Sequence, residues 1–101
     1  MTVQGTATAP TLSVNTTTAA PGGAVTVTLT GGAGGSTDWL ALAATTAANT
    51  SYVQYVYVGS GVTTRTWTVN MPATAGAYEF RLFLNNGYVR AATSPSVNVT
   101  P

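Results

Sequence analysis

Hydrophobic and polar residues alternate along most of this chain, in short runs that turn residues separate. The clearest run spans 24–30, where Val25, Val27 and Leu29 alternate with small polar residues. A period of two puts every second side chain on one face of a pleated strand, so this run predicts a half-buried strand. On the same grounds we predict further strands at 10–15, 38–43, 52–58, 62–70, 77–84 and 88–99.

Turn residues between these runs favour an antiparallel arrangement. Asn86-Gly87 predicts a tight type I′ hairpin before the last strand, because both central residues of that turn need a positive φ. Ser94-Pro95 interrupts the last strand, and since proline cannot donate to a ladder we expect an edge, a bulge or a strand switch there. About seven short strands, with no helical period between them, predict an antiparallel all-β sandwich.

Charged residues make up only 5% of the 101 residues, against roughly 25% in a typical domain. They are Asp38, Arg65, Glu79, Arg81 and Arg90, and the net charge is +1. Nucleic acid is bound through clustered Lys and Arg, and anionic membranes attract polybasic segments. We therefore expect neither nucleic acid nor a membrane as a partner.

The chain also has few groups that carry out catalysis or bind metals. It has no cysteine and no histidine, and its carboxylates are limited to Asp38 and Glu79. A thiolate, an imidazole base and the commonest zinc ligands are therefore missing, and a calcium site normally needs several carboxylates. We expect no enzymatic activity, no cofactor and no metal. Without a disulfide, packing and ladder hydrogen bonds must hold the sandwich together.

We consider next which of the few charged residues could form ion pairs. Asp38 opens one predicted strand and Arg90 lies in another, and we interpret them as a structural ion pair, with contact to a ligand as the alternative for Arg90. Glu79 and Arg81 alternate with the apolar positions of their strand, so parity predicts that they lie on a solvated face. Arg65 is then a candidate cross-strand partner of Glu79.

The segment Gly76-Ala77-Tyr78-Glu79-Phe80 resembles the entry to strand F of immunoglobulin-like domains. In that resemblance Tyr78 takes the role of the tyrosine corner, and Phe80 stands where antibody domains have a cysteine. Trp39 lies early in the third predicted strand, near the tryptophan of that fold. Since both cysteines of true immunoglobulin domains are missing, the resemblance is to the broader immunoglobulin-like and fibronectin-III-like sandwiches.

A narrower resemblance covers 38–99, about the last two thirds of the chain. Four motifs carry it, in this order: Asp38-Trp39-Leu40-Ala41-Leu42, Tyr55-Val56-Tyr57, Tyr78-Glu79-Phe80-Arg81 and Gly87-Tyr88-Val89-Arg90-Ala91-Ala92-Thr93-Ser94-Pro95. Their order resembles that of SKICH-type domains and of small sandwich modules appended to secreted bacterial enzymes. Ala41 and Ala91 stand where that family usually has glycine. The resemblance implies a non-catalytic role, either binding partners or spacing neighbouring domains.

Most of the larger aromatic residues are assigned to the core between the sheets. These residues are Trp39, Trp67, Tyr78, Phe80 and Phe83. Trp39, Tyr78 and Phe80 are expected to clamp the two layers.

The remaining tyrosines, at 52, 55, 57 and 88, are the candidates for a binding surface. Alternation leaves open which face of 52–58 is inward. If the valines are buried, Tyr55 and Tyr57 form a flat exposed strip that suits stacked sugar rings or a protein partner. The alternative is that these tyrosines have no binding role and occur here because tyrosine favours strands.

We interpret 1–9 as a linker remnant without the features of a signal peptide, and 10–101 as one sandwich domain. Its Thr- and Gly-rich composition is common in secreted bacterial proteins. We expect an extracellular accessory module that binds a polysaccharide or protein surface through Tyr55, Tyr57, Tyr88 and Arg90, or that spaces neighbouring domains. The alternative is a self-associating domain of a surface layer or fibre, because low charge weakens protection against edge-to-edge pairing. We expect a monomer or a weak homo-oligomer.

Overall fold

The computed structural model describes residues 10–32 and 34–100, and the predicted linker at 1–9 lies outside the described residues. Within the described part, the chain forms nine strands and no helix. The described residues therefore contain no helix that is long and apolar enough to cross a membrane. The strands are β1 (Thr11–Val14), β2 (Thr18–Ala19), β3 (Ala24–Thr30), β4 (Trp39–Ala44), β5 (Gln54–Tyr57), β6 (Arg65–Asn70), β7 (Gly76–Phe83), β8 (Arg90–Thr93) and β9 (Val97–Val99).

Two sheets pack face to face, so the predicted all-β sandwich is confirmed. One sheet has the order β1-β3-β6. The other has the order β2-β9-β7-β4-β5, and β8 also pairs with β7, further along that strand than β9.

Two details differ from the predicted seven antiparallel strands. The two-residue strand β2 was not predicted, and it pairs with β9 in parallel. The last predicted strand is divided into β8 and β9 at the expected break. Ser94 bridges that break, because its N–H donates to the Phe80 carbonyl at 2.8 Å and its hydroxyl accepts the Phe80 N–H at 2.8 Å. The chain therefore stays attached to β7 although proline contributes no donor.

The turn between β7 and β8 differs from the predicted Asn86-Gly87 hairpin. Positive φ angles occur at Asn85 (57°) and Asn86 (56°), one residue earlier, and the Gly87 N–H closes the turn on the Leu84 carbonyl at 3.0 Å. A tertiary contact favours this register, because the Asn85 N–H donates to Asp38 Oδ1 at 3.1 Å.

The core lies between the sheets and is built from the inward residues that alternation predicts. Trp67 and Phe80 form an edge-to-face pair with ring centroids 5.9 Å apart, which joins β6 of one sheet to β7 of the other. Such aromatic pairs add about 0.5–1.5 kcal/mol beyond area burial. The buried members are Leu12, Val25, Val27, Leu29, Leu40, Leu42, Val58, Val69, Met71, Tyr78, Phe80, Leu82, Val97 and Val99.

Tyr78 ties the start of β7 to the preceding corner between the sheets. Its side chain is buried, and its hydroxyl donates to the Thr74 carbonyl at 2.9 Å. This bond holds the backbone at Thr74 against the start of β7.

Glu79 and Arg81 are buried, so their assignment to a solvated face is wrong. Arg81 is 1% exposed and its Nε donates to Glu79 at 2.8 Å. Its terminal nitrogens donate to the carbonyls of Ala44, Thr45 and Ala48 at 3.2–3.4 Å. Parity predicted their face correctly, but the connection between β4 and β5 folds over that face and excludes water.

The predicted Asp38–Arg90 ion pair is also wrong. Arg90 instead pairs with Glu79 at 3.3 Å and binds the Asn49 amide oxygen at 2.6 Å. The buried Asp38 carboxylate accepts the N–H groups of Gly35 and Asn85, each at 3.1 Å. A Cβ at Gly35 would lie 2.6 Å from Asp38 Oδ1, so this contact requires glycine.

Arg65 is not a partner of Glu79. It lies in β6 opposite Leu29 of β3, and therefore belongs to the other sheet.

Replacing Tyr78 with Phe removes the corner hydrogen bond and keeps the ring. We expect a loss of about 1 kcal/mol in the free energy of unfolding, since that is the usual contribution of such a bond. Chemical unfolding in urea measures it. The control is Tyr57→Phe, which removes an exposed hydroxyl. Equal losses in the two variants would contradict a special role for the corner.

Replacing Arg81 with Met leaves Glu79 half-paired and removes one donor from each of three carbonyls, two of which keep a backbone N–H donor. Breaking a buried ion pair on one side costs about 3–5 kcal/mol. The same substitution at Arg90, whose side chain is 33% exposed, should cost about 1 kcal/mol or less. Thermal and urea unfolding of both variants compare the two losses, and similar values would show that the buried network is not the stronger link.

Candidate functional site

Trp39 is buried, but on the outer face of the six-stranded sheet and not between the two layers. It forms a separate buried cluster with Ala41 and Phe83, and its ring stacks on Phe83 with centroids 4.6 Å apart. Strand parity explains this position, because Leu40 and Leu42 point into the core and their neighbours must point away. The expectation that Trp39 clamps the two sheets is therefore wrong.

Three tyrosines pack edge-to-face around Trp39 and cover it. Ring centroids of Tyr52, Tyr55 and Tyr88 lie 5.0, 5.9 and 5.8 Å from that of Trp39. Tyr57 extends the group and lies 5.8 Å from Tyr55. We call Trp39, Phe83 and these four tyrosines the aromatic face.

The four tyrosines remain accessible to solvent although they cover the tryptophan. Their exposed fractions are 38% for Tyr52, 52% for Tyr55, 45% for Tyr57 and 47% for Tyr88. Trp39 itself is only 5% exposed. Tryptophan therefore forms the floor of the aromatic face, and tyrosine rings and hydroxyls form the surface that a ligand would meet.

The structure resolves which face of β5 is inward. Val56 packs against the core and Val58 lies in it, whereas Tyr55 and Tyr57 point outward. The two rings are inclined at 89° to each other, and those of Tyr52 and Tyr55 at 80°. The exposed tyrosines therefore do not form the flat strip that the sequence suggested.

Polar contacts orient the rim of the aromatic face. Trp39 Nε1 donates to the Gly87 carbonyl at 3.0 Å, and the Tyr57 hydroxyl donates to Asn86 at 2.9 Å. Asn49 Nδ2 donates to the Tyr88 carbonyl at 3.2 Å. These bonds connect the turn after β7 and the loop before β5 to the same cluster.

Two adjoining depressions lie on this face and share Tyr52 and Tyr88 as a common wall. The smaller has a volume of about 160 Å³ and the larger, more open one about 630 Å³. Because they share these two tyrosines, the depressions adjoin each other, and we call the pair the groove. The smaller is lined by Trp39, Tyr52, Tyr55, Tyr57, Asn86 and Tyr88, and the larger by Ala44, Ala47, Thr50, Ser51, Tyr52, Val53 and Tyr88.

Of the predicted binding residues, Tyr55, Tyr57 and Tyr88 meet on the aromatic face. Arg90 does not line either depression, because Glu79 and Asn49 hold its guanidinium beside the loop. Tyr52 completes the group and was not selected from the sequence. The predicted strand at 52–58 included Tyr52, but in the structure this residue precedes β5, so strand parity does not apply to it and its contact with Trp39 depends on the path of the loop.

Comparisons with known proteins give no further assignment. No protein-family model, curated protein or solved structure matches the chain. Across residues 10–32 and 34–100, no group of three or more His, Cys, Asp or Glu side chains is placed to hold a metal ion. The candidate site is therefore defined by the geometry of the aromatic face.

Proposed function

We propose that this protein is a non-catalytic, extracellular accessory module whose aromatic face binds a polysaccharide or a protein surface. The observation that carries the proposal is the packing of three half-exposed tyrosines around one tryptophan, with a fourth, Tyr57, against Tyr55. Tyrosine supplies a large apolar contact with a polar tip and loses little conformational entropy on binding, which is why it is common at binding surfaces. Exposed aromatic clusters of this kind are also unusual on surfaces without a binding role.

We further propose that the module is immunoglobulin-like. Its support is the division of strands into ABE-like and CFG-like sheets, together with the bond from Tyr78 to Thr74. A role purely as a spacer is less well supported, because a spacer does not need its exposed aromatic residues to be clustered. The proposed extracellular location rests on the threonine- and glycine-rich, weakly charged composition.

A specific observation also favours the alternative of a self-associating structural domain. Strand β5 is the edge of the six-stranded sheet, and it carries two exposed tyrosines and no charged side chain. Unprotected edges of this kind can pair with a second copy.

Replacing Tyr55 and Tyr57 together with Ala tests the binding function. We expect the wild-type protein to be retained on at least one member of a glycan array, an insoluble-polysaccharide series or a panel of extracellular proteins. The double variant should bind at least about fivefold more weakly, because two ring contacts of roughly 0.5–1.5 kcal/mol each are lost.

The matched control is Thr66→Ala/Thr68→Ala, an exposed pair with the same spacing on β6, the edge strand of the opposite sheet. Cooperative unfolding in urea checks that both variants fold. Equal binding by the two double variants would contradict a role for the aromatic face.

Replacing Gln54 with Lys tests the alternative. If β5 pairs between copies, the average mass from light scattering should rise with protein concentration and the new charge should suppress that rise. Binding by the aromatic face should change little, because Gln54 lies outside both depressions. A mass that stays monomeric at all concentrations rejects the structural alternative.

A further inference from the structure

We infer that the groove on the aromatic face binds a single, uncharged glycan chain, with one sugar ring in the smaller depression and the next rings along the larger one. This inference rests on the proposed binding function and names the ligand class of that site.

The ring geometry argues against a flat ligand. A crystalline polysaccharide surface is best met by several aromatic rings in one plane. Here Tyr52 and Tyr55 are inclined at 80°, and Tyr55 and Tyr57 at 89°. Neighbouring rings are thus oriented edge to face, and they enclose a concavity that a single glycan chain can enter.

The dimensions of the groove suit one chain. The smaller depression, at about 160 Å³, has room for about five water molecules at ~30 Å³ each, which is comparable to one sugar ring. Tyr52 and Tyr88 stand at its junction with the larger depression, so a chain that leaves the first site passes between them. A ligand of several units therefore gains contacts that a monosaccharide lacks.

The charge distribution favours a neutral ligand. No charged side chain lines either depression within the part of the chain that the structure describes. Arg90 is already paired with Glu79 and Asn49, and Asp38 is buried against two N–H groups. An anionic or cationic ligand would lose hydration without gaining an ion pair.

Hydrogen-bonding groups on the groove suit a ligand rich in hydroxyls. Among the described residues, the Tyr57 hydroxyl is bonded to Asn86, whereas those of Tyr52, Tyr55 and Tyr88 bond to no other protein group. Each of these three hydroxyls can donate and accept. Sugars offer the same pairing of apolar ring faces with peripheral hydroxyls. A protein partner would need a neutral projection rich in hydroxyl groups to make the same contacts. We therefore favour a glycan as the ligand.

The test is affinity electrophoresis through gels that contain neutral soluble polysaccharides, namely hydroxyethylcellulose, xylan, galactomannan, mixed-linkage β-glucan and soluble starch. Alginate serves as the charged comparison, and microcrystalline cellulose and chitin as flat surfaces. We expect retardation by at least one neutral polysaccharide and no retention on the crystalline ones. Affinity should change less than about twofold between low and high salt, because no ion pair is formed.

Calorimetry with oligosaccharides of the polysaccharide that binds then tests the groove. Affinity should rise from one to several sugar units, and Tyr52→Ala and Tyr88→Ala should each weaken it about tenfold or more. Tyr55→Phe keeps the ring and removes a hydroxyl, and should weaken binding by roughly two- to tenfold. The control Thr66→Ala/Thr68→Ala should bind like the wild type.

The outcomes separate this inference from the proposed function. Binding only to alginate, to a crystalline surface or to a protein, if lost on Tyr55→Ala/Tyr57→Ala, overturns the glycan-chain inference and supports the binding function. Absence of binding to every neutral soluble polysaccharide also overturns the inference. Neutral glycan binding that survives all the tyrosine variants overturns both, because the aromatic face would then not be the site.

Discussion

The pairing of β4 with β7 is the constraint on which the rest of this structure depends. These strands form the centre of the six-stranded sheet, with Trp39 opposite Phe83 and Leu42 opposite Phe80. Their inward residues build the core against the three-stranded sheet. Their outward residues are buried as well, although the sandwich has no third layer. The connections between strands must therefore supply a cover, and the form of that cover decides which chemistry the surface presents.

Two parts of this outer face are covered in different ways. Over Glu79 and Arg81 the cover is polar, since the loop after β4 lays backbone carbonyls on a buried guanidinium. Over Trp39 and Phe83 the cover is aromatic and consists of side chains that stay half-exposed. The polar cover orders the same loop that leads to Tyr52, and Asn49 links that loop to both Arg90 and Tyr88. Interactions that stabilise the sheet thus also shape the groove.

The sequence predicted the strands better than the surroundings of their outward residues. Alternation located β3 at its observed bounds and assigned Val25, Val27 and Leu29 to the core. It also gave the correct face for Glu79 and Arg81, but not their burial, because a loop covers them. The Asn86-Gly87 motif indicated a turn at the right place, whereas hydrogen bonds donated by the Asn85 and Asn86 N–H groups to 37–38 selected a register with both asparagines at positive φ. Of the site, Tyr55, Tyr57 and Tyr88 were foreseen, while Tyr52 and the role of Trp39 as its floor were not.

The sequence by itself determined an all-β sandwich without cysteine or histidine, and which side chains share a face of each strand, because a pleated strand has a period of two wherever it lies. Only the tertiary structure decided which outward faces are covered and by what. That choice depends on the paths of the loops at 45–53 and 84–89, which bring residues distant in sequence into contact and follow no local period. For this reason the strands can be predicted from the residue pattern, whereas the groove is seen only in the folded structure.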